Sequence, residues 1–158
     1  MSAARVVRLL ETNEVEDENE GKIVDETVLT EYRERLLEAA REAARAAYCP
    51  HSKFRVGAAV LAGRRLFIGC NIENDSYGLT ICAERVAIFS AISSGCRRIE
   101  AIAVACPGAA DRLVSMHLPC GACRQVMAQF ANGDLPVIID GFGKIPLAEL
   151  LPKPFRLL

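Results

Sequence analysis

Residues 101–140 read AIAVACPGAADRLVSMHLPCGACRQVMAQFANGDLPVIID, and the order of patterns in this stretch decides the fold class. Two continuous apolar runs, AIAVAC and PVIID, are typical of strands buried on both faces of a sheet. Between them, CGACRQVMAQFANG has helical spacing and is closed by Gly133, a helix stop. A strand, a helix and a second strand predict two parallel strands joined by a right-handed crossover.

The chain on either side of this stretch continues the alternation of helices and strands. Apolar residues recur every three or four positions from about Asp25 to Ala47, which predicts a helix ended by Pro50. The runs FRVGAAVLA and RLFIGCNIE, joined at Gly63 and Arg64, predict a β-hairpin. CAERVAIFSAISSG predicts a further helix, and IPLAELLP predicts a short last strand or helix. Such alternation implies a sheet with helices on its faces.

Length, charge and hydropathy limit the class of protein. A chain of 158 residues, of which 51% are hydrophobic, is long enough for one domain with one substantial core. The net charge of −1 gives no reason to expect nucleic acid or an anionic membrane as a partner. No apolar run approaches the roughly 20 residues of a membrane span, and the start of the chain does not resemble a signal peptide. The sequence therefore favours a cytoplasmic location.

The first 24 residues differ in composition from the rest of the chain. They have no stable period and carry a run of acids. We therefore interpret residues 1–24 as an acidic, flexible N-terminal extension and residues 25–158 as the folded domain.

Three of the seven cysteines open predicted helices. Cys82 stands at the start of CAERVAIF, and Cys120 and Cys123 stand at the start of CGACRQV. Backbone N–H groups and the helix dipole at such positions favour the thiolate form, and three thiolates at two adjacent helix starts could bind one zinc ion. Another three lie in apolar runs and are interpreted as small buried hydrophobes: Cys70, Cys96 and Cys106.

The number of available ligands favours a catalytic zinc site. A structural site normally has four protein ligands, whereas a catalytic site keeps one position for water. Glu84, two residues after Cys82, lies in the first helical turn and is suited to act as general base and acid beside that water. His117, three residues before Cys120, could supply a fourth ligand and close the site, but we favour an ordinary loop histidine.

Two other interpretations of the cysteines are open but less favoured. A redox dithiol would use Cys120 and Cys123 and would leave Cys82 and Glu84 without a role. A purely structural zinc site would need a fourth protein ligand, for which no cysteine stands at a helix start.

The spacing of these motifs resembles that of a known family. Cys-Ala-Glu at residues 82–84, followed about 35 residues later by Pro-Cys-x-x-Cys, is similar to the signature of the zinc nucleobase deaminases. The stretches YCPHSKFRVGAAV, GCNIENDSYGLTICAER, RIEAIAVA and AELLP extend the likeness. From about Leu36 to Pro152 the chain resembles the small homotetrameric cytidine deaminases. The resemblance implies a homotetramer and an α/β fold, a three-layer α/β/α sandwich with a central mixed sheet of about five strands.

The resemblance also implies roles for individual positions. One Zn²⁺ per chain would be held by three ligands: Cys82, Cys120 and Cys123. Glu84 matches the proton shuttle, and Arg85 matches a residue that hydrogen-bonds the ligand thiolates and tunes the charge of the zinc centre. Phe54 matches the aromatic residue that lies against the pyrimidine, and Asn71 and Glu73 match the two residues that hold the ribose hydroxyl. The backbone N–H of Ala83 matches the donor to the base carbonyl. Tyr77 matches a residue that reaches a neighbouring subunit's site.

The chain departs from the family pattern in four places. Leu118 precedes Pro119 where the family usually has Ser, a position used through its backbone carbonyl. His51 stands where Tyr is usual, at the rim of the site. Phe155 is kept, but the Gly-Pro stretch that follows it in the family is missing. The acidic N-terminal extension has no counterpart.

The implied activity is zinc-dependent hydrolytic deamination of cytidine and 2′-deoxycytidine to uridine and 2′-deoxyuridine, with release of ammonia, in pyrimidine salvage. One alternative is a deaminase of a modified aminonucleoside such as blasticidin S, but the stretch NIEN at residues 71–74 favours cytidine. A second alternative is a non-catalytic structural zinc or nucleoside-binding protein, but the presence of Glu84 favours a catalytic site. Small residues on the helix that begins near Cys82 are interpreted in two ways, as allowing close approach of helices between subunits or as ordinary core packing: Ala83, Ala87 and Ala91.

Overall fold

The computed structural model describes residues 26–109 and 113–157, and the predicted extension over residues 1–24 lies outside them. Five strands form one sheet in the order β2-β1-β3-β4-β5. The strands are β1 Gly57–Ala62, β2 Arg65–Cys70, β3 Ala101–Ala105, β4 Pro136–Ile139 and β5 Gly143–Pro146. The helices are α1 Glu26–Ala44, α2 Ala83–Ser93, α3 Gly121–Phe130 and α4 Leu147–Leu150. The end of the chain that was predicted as a strand or a helix contains both, β5 and then α4.

The hairpin of β1 and β2 is confirmed, and its turn has an unusual backbone. Gly63 and Arg64 have φ angles of +55° and +58°. Two successive positive φ values are typical of the tight hairpin turn whose twist matches that of the flanking strands. The non-glycine residue at the second position is therefore held in a left-handed conformation by the strand pairing on either side.

The sheet is mixed, as expected. β3 and β4 pair in parallel, with Ala103 opposite Ile138, and α3 lies between them in the chain. β1 pairs antiparallel with both β2 and β3, and β4 pairs antiparallel with β5. The parallel pairing predicted from residues 101–140 is thus confirmed.

The side chains on the two faces of β1 belong to two separate hydrophobic cores. Ala58, Val60 and Ala62 pack among residues of α2 and α3, whereas Ala59 and Leu61 pack among residues of α1. All five side chains are fully buried. Helices therefore cover both faces of the sheet, and the three-layer α/β/α sandwich is confirmed.

Two glycines allow the helices to approach the sheet at backbone distance. A Cβ on Gly57 would lie 2.0 Å from the carbonyl oxygen of Ala40 in α1. A Cβ on Gly69 would lie 2.5 Å from the nitrogen of Ala87 and 2.6 Å from the carbonyl oxygen of Ala83, both in α2. The contact at Gly69 sets the position of the first turns of α2.

The small residues of α2 are explained by this packing. Ala83, Ala87 and Ala91 are fully buried within the chain, in the core between α2 and the sheet. A side chain without exposed surface in one chain cannot line a contact between chains. The interpretation of these alanines as residues of a subunit interface is therefore wrong.

The cysteines outside the helix starts behave almost as predicted. Cys96 and Cys106 are buried, whereas Cys70 is only partly buried. All seven cysteines lie in the described part of the chain, and all are free thiols. Among the described residues, no helix combines the length and the apolar composition that crossing a membrane requires.

Candidate active site and metal centre

The first turns of α2 and α3 bring three sulfur atoms together. Cys82 is the N-cap residue of α2, Cys120 is the N-cap residue of α3, and Cys123 lies in the first turn of α3. The Sγ of Cys120 lies 3.8 Å from that of Cys82 and 3.5 Å from that of Cys123. All three sulfurs lie within 4.8 Å of one another. We call these three residues the thiol centre.

The thiol centre fits a zinc ion in both chemistry and spacing. Tetrahedral zinc with Zn–S bonds of about 2.3 Å places its sulfur ligands about 3.8 Å apart, close to the distances between these sulfurs. Among the described residues, no other group of three or more His, Cys, Asp or Glu side chains converges in this way. Three thiolates would hold the ion and leave its fourth position to a non-protein ligand.

Protons are shared unequally within the thiol centre. The neighbouring Cys123 thiol is the main cause that lowers the pKa of Cys82, against the opposing effect of burial. Arg85 and Cys120 lower it further. The neighbouring Cys82 thiol, together with burial, raises the pKa of Cys123. The centre thus favours a thiolate at Cys82 even before a cation contributes.

Arg85 lies where it can stabilise that thiolate. Its guanidinium donates to the carbonyl oxygen of Thr80 at 3.0 Å and reaches the Sγ of Cys82 at 3.7 Å. Its Nε is buried without a hydrogen-bond partner among the described residues. A partly buried cation held against the thiol centre offsets part of the charge that three thiolates would bring to a metal. The Thr80 carbonyl, which orients the guanidinium, was not identified from the sequence.

Glu84 is a buried carboxyl group beside the thiol centre. It lies in the first turn of α2 and is 4% exposed. Burial raises its pKa to about 7, and the neighbouring Cys82 thiolate adds to the rise. A group that titrates near neutral pH can both accept and donate a proton under working conditions. The side chain therefore has the properties that a general base and acid requires.

Two loops, residues 48–56 and 71–80, carry four of the five predicted substrate-binding positions: Phe54, Asn71, Glu73 and Tyr77. We call them the substrate loops. Asn71 is buried and bridges the two loops, because its Nδ2 donates to the carbonyl oxygen of Phe54 and its Oδ1 accepts from the N–H of Val56, both at 2.9 Å. The Oγ of Ser52 accepts the N–H of Phe54 at 3.0 Å. The backbone of Phe54 is thus held on both sides. One N–H and one lone pair of the Asn71 amide are left for a ligand.

Glu73 receives backbone N–H groups from the opposite loop. Its carboxylate accepts the N–H of His51 at 2.8 Å and that of Ser52 at 3.2 Å. The Ser52 side chain lowers the pKa of Glu73 most, and the backbone N–H groups of His51 and Ser52 lower it further. The side chain is therefore held as a carboxylate acceptor at the rim of the site.

The remaining predicted positions lie at opposite extremes of burial. Ala83 is fully buried, and its N–H belongs to the first turn of α2, where helix N–H groups have no acceptor within the helix. Tyr77 is 76% exposed, and its ring lies 6.1 Å from that of His51, centroid to centroid. The resemblance implies a backbone donor to the substrate at Ala83 and a ring that reaches a neighbouring subunit at Tyr77. The buried helix start and the exposed ring are compatible with these two roles.

His117 does not join the thiol centre. Its ring is 4% exposed and lies 2.9 Å through Nε2 from the carbonyl oxygen of Ala109. It is therefore a buried residue rather than an ordinary loop histidine. No pattern in the sequence indicates this burial, since the surrounding stretch has no regular period.

The C-terminal segment is anchored by a side chain that the sequence did not single out. Gln125 of α3 donates to the carbonyl oxygen of Phe155 at 2.7 Å and accepts its N–H at 3.0 Å. The ring of Phe155 is 68% exposed. The backbone of this residue is thus fixed against α3 while its ring faces away from the chain.

A comparison with protein families agrees with this geometry. Residues 30–139 match the family described as the cytidine and deoxycytidylate deaminase zinc-binding region. The matched range includes all three members of the thiol centre. The thiol centre thus falls inside the zinc-binding region of that family.

Individual relatives extend the match beyond the metal site. The chain is 46% identical over 127 residues to a cytidine deaminase of Sporosarcina psychrophila. The match covers 77% of this chain and 90% of the relative. A blasticidin-S deaminase of Bacillus cereus is 35% identical over 127 residues, covering 76% of this chain and 89% of the relative. The crystal structure of a cytidine deaminase from Burkholderia pseudomallei superimposes with a TM-score of 0.67 and 41% identity, over 77% of this chain and 98% of that one.

Proposed function

The chain belongs to the cytidine and deoxycytidylate deaminase family, and from that membership we propose that it hydrolyses cytidine and 2′-deoxycytidine to uridine and 2′-deoxyuridine. The balanced reaction takes up one water and releases one ammonia for each base. The observation that carries the proposal is a buried carboxyl group, Glu84, on the same helical turn as one member of a zinc-fitting thiol centre. A purely structural metal site has no use for such a carboxyl group.

In the proposed mechanism, Glu84 moves the protons. When bound, zinc supplies a Lewis acid that makes a water molecule nucleophilic near neutral pH. Glu84 accepts a proton from the attacking water and passes it to the ring nitrogen of the base. It then accepts the remaining proton from the hydroxyl group that the water has added to the ring carbon and delivers it to the leaving amine, so that the C–N bond breaks, ammonia departs and the carboxylate is restored. A pKa near 7 makes both directions of transfer accessible.

The substrate loops supply recognition of the nucleoside. The ring of Phe54 offers an apolar face for the pyrimidine, and the N–H of Ala83 offers a donor to the base carbonyl. The free capacity of the Asn71 amide and the carboxylate of Glu73 suit a ribose hydroxyl, which is both donor and acceptor. These assignments are supported by the position of all four groups on the two loops and on the first turn of α2.

The test is ammonia release from a panel of cytidine, 2′-deoxycytidine, blasticidin S, adenosine and single-stranded oligonucleotides. Each substrate is measured with the zinc-loaded protein and again after treatment with a chelator. We expect release from the two cytidine nucleosides, lost on chelation and restored by zinc. Release from none of the panel would refute the proposal.

The same panel distinguishes the second candidate function. The likeness to a blasticidin-S deaminase makes a modified aminonucleoside the main alternative substrate. Blasticidin S turned over with a higher kcat/KM than cytidine would favour that function. We expect the reverse, because Asn71 and Glu73 present groups suited to an unmodified ribose.

We also propose that the protein acts as a homotetramer in the cytoplasm, in salvage of pyrimidine nucleosides. Large apolar side chains on the substrate loops and at the C-terminus are exposed in the single chain: Tyr48, Ile72, Tyr77, Leu79 and Phe155. Large apolar groups left exposed near a site favour burial by a neighbouring subunit. Three reduced thiols at the site suit a reducing compartment. A monomer at micromolar concentration in light scattering would refute the tetramer.

A further inference from the structure

A buried histidine ring lies beside the substrate loops and has no part in the proposed mechanism. His117 follows the short 3-10 turn Val114–Met116 and precedes the ligand Cys120 by three residues. It is one of three buried polar or charged side chains in the described part of the chain, with Asn71 and Glu84. Burial of a polar ring is costly unless a bond and close packing compensate for it.

Two contacts fix the orientation of this ring. Its Nε2 lies 2.9 Å from the carbonyl oxygen of Ala109, and because a carbonyl oxygen only accepts, Nε2 carries the hydrogen. The ring of Phe142, in the turn between β4 and β5, meets it edge-on at a centroid distance of 4.8 Å and an angle of 60°. A hydrogen bond along one axis and a ring contact on another leave little freedom of rotation.

The third contact of the ring is with Phe54. The two centroids are 6.5 Å apart and the ring planes make an angle of 75°, an edge-to-face arrangement. Among the described aromatic rings, His117 is the one that meets Phe54. The backbone of Phe54 is already held by Ser52 and Asn71, so its remaining freedom is rotation of the side chain. The edge of His117 restricts that rotation.

We propose that His117 is a positioning residue that sets the plane of the Phe54 ring and thereby the affinity for the pyrimidine. The inference rests on the proposed function, in which Phe54 lies against the base. It also links two parts of the site, because the segment that leads into Cys120 then orients the aromatic face of the substrate loops. Since Phe54 contacts substrate before and during the reaction alike, loss of its orientation acts on binding more than on the chemical step.

Two substitutions separate this role from a merely structural one. His117→Gln keeps an amide donor for the Ala109 carbonyl and removes the aromatic edge. We expect KM for cytidine to rise about 2- to 10-fold, the range for loss of one aromatic edge contact, with kcat within about twofold of the parent. His117→Phe keeps an aromatic edge and removes the donor, so we expect a lower melting temperature with KM close to that of the parent.

The measurements are KM, kcat, zinc content and melting temperature on one preparation of each protein. Met116→Ala, an exposed neighbour on the same segment, is the matched control and should leave KM unchanged. A parental KM in His117→Gln, or a rise in His117→Phe as large as in His117→Gln, would overturn the positioning role. A parent protein that releases no ammonia from cytidine would instead overturn the proposed function on which that role rests.

Discussion

The thiol centre and the substrate loops are linked by Arg85, which contacts both, but are held in place by different forces. Cys123 and Glu84 are buried on helices that pack on the sheet, and the first turns of α2 lie at backbone distance from Gly69. The substrate loops are held mainly by hydrogen bonds from a few side chains to backbone groups, chiefly those of Asn71 and Glu73. One region is positioned by the core and the other by a small number of local bonds.

This difference indicates which part of the site should tolerate substitution. Protein interiors are close-packed, so groups attached to the core have one geometry and lose it only when the core is disturbed. Loops held by a few bonds can adjust when one bond is removed. Substitutions in the thiol centre should therefore abolish the reaction, whereas substitutions in the substrate loops should change affinity by degrees.

The largest effect is expected for Cys120→Ala, which removes one ligand of the thiol centre. Two sulfurs cannot hold zinc as three do, so both the metal content and ammonia release should fall to background. Metal analysis and activity on one preparation check this. Cys70→Ala, outside the thiol centre, is the control and should keep its zinc. Full zinc content in Cys120→Ala would mean that the ligand set is wrong.

The next largest effect is expected for Glu84→Gln, which keeps the shape of the side chain and removes its ability to carry protons. Turnover should fall by roughly 10²–10⁴-fold, as is typical when a general acid and base is lost. Zinc content and melting temperature should stay near those of the parent, and substrate affinity should change far less than turnover. Glu31→Gln, exposed on α1, is the matched control. Turnover within a few-fold of the parent, with zinc intact, would remove Glu84 from the mechanism.

A pair of glycine substitutions compares the two regions directly. In Gly69→Ala the new Cβ would lie 2.5 Å from the Ala87 nitrogen, so α2 must shift away from β2. We expect a loss of about 1–3 kcal/mol in the free energy of unfolding, with weaker zinc retention because the first turn of α2 moves. In Gly78→Ala, on a substrate loop, the Cβ meets no atom within 4 Å, and stability should be nearly unchanged. Denaturant unfolding and zinc content check both, and equal destabilisation would contradict the contrast between core and loop.

The smallest effect is expected for Glu73→Gln, as a dependence of stability on pH. Hydrogen bonds to the carboxylate lower the pKa of Glu73 in the folded protein below its ordinary value. The stabilisation is therefore present above the ordinary glutamate pKa of about 4.3 and is lost as the pH falls through the lower folded-state value. The difference in melting temperature between parent and variant should be largest near neutral pH and should vanish in acid. A difference that grows on acidification would have the wrong sign.

Much of the fold could be predicted from local patterns. The hairpin follows from two apolar runs joined at Gly63 and Arg64, and the parallel pair follows from the strand–helix–strand order of residues 101–140. These features depend on contacts between neighbouring or nearly neighbouring segments. The role of the small residues in α2 could not be decided in this way, because a run of alanines has the same appearance whether it faces a sheet or another subunit.

The candidate site could be predicted in its residue types but not in its environment. The spacing of Cys82, Cys120 and Cys123 predicted a metal site, and the three sulfurs do come together in the structure. The role of Glu84 beside them stays a prediction. The burial of His117 and the bonds of Asn71 to the Phe54 loop could not be read in the same way. They depend on which distant segments the sheet order brings together, and no local period records that order.

By itself the sequence determined most of the elements and the helix starts that carry the three thiols, and it named candidate groups for the chemistry. Only the tertiary structure decided that the starts of α2 and α3 converge, that Glu84 is buried deeply enough for a pKa near 7, and that His117 meets Phe54. The physical reason is the range of the forces involved. Backbone propensity and hydrophobic period act within a few residues, whereas burial, proton affinity and ring contacts are set by groups far apart in the chain.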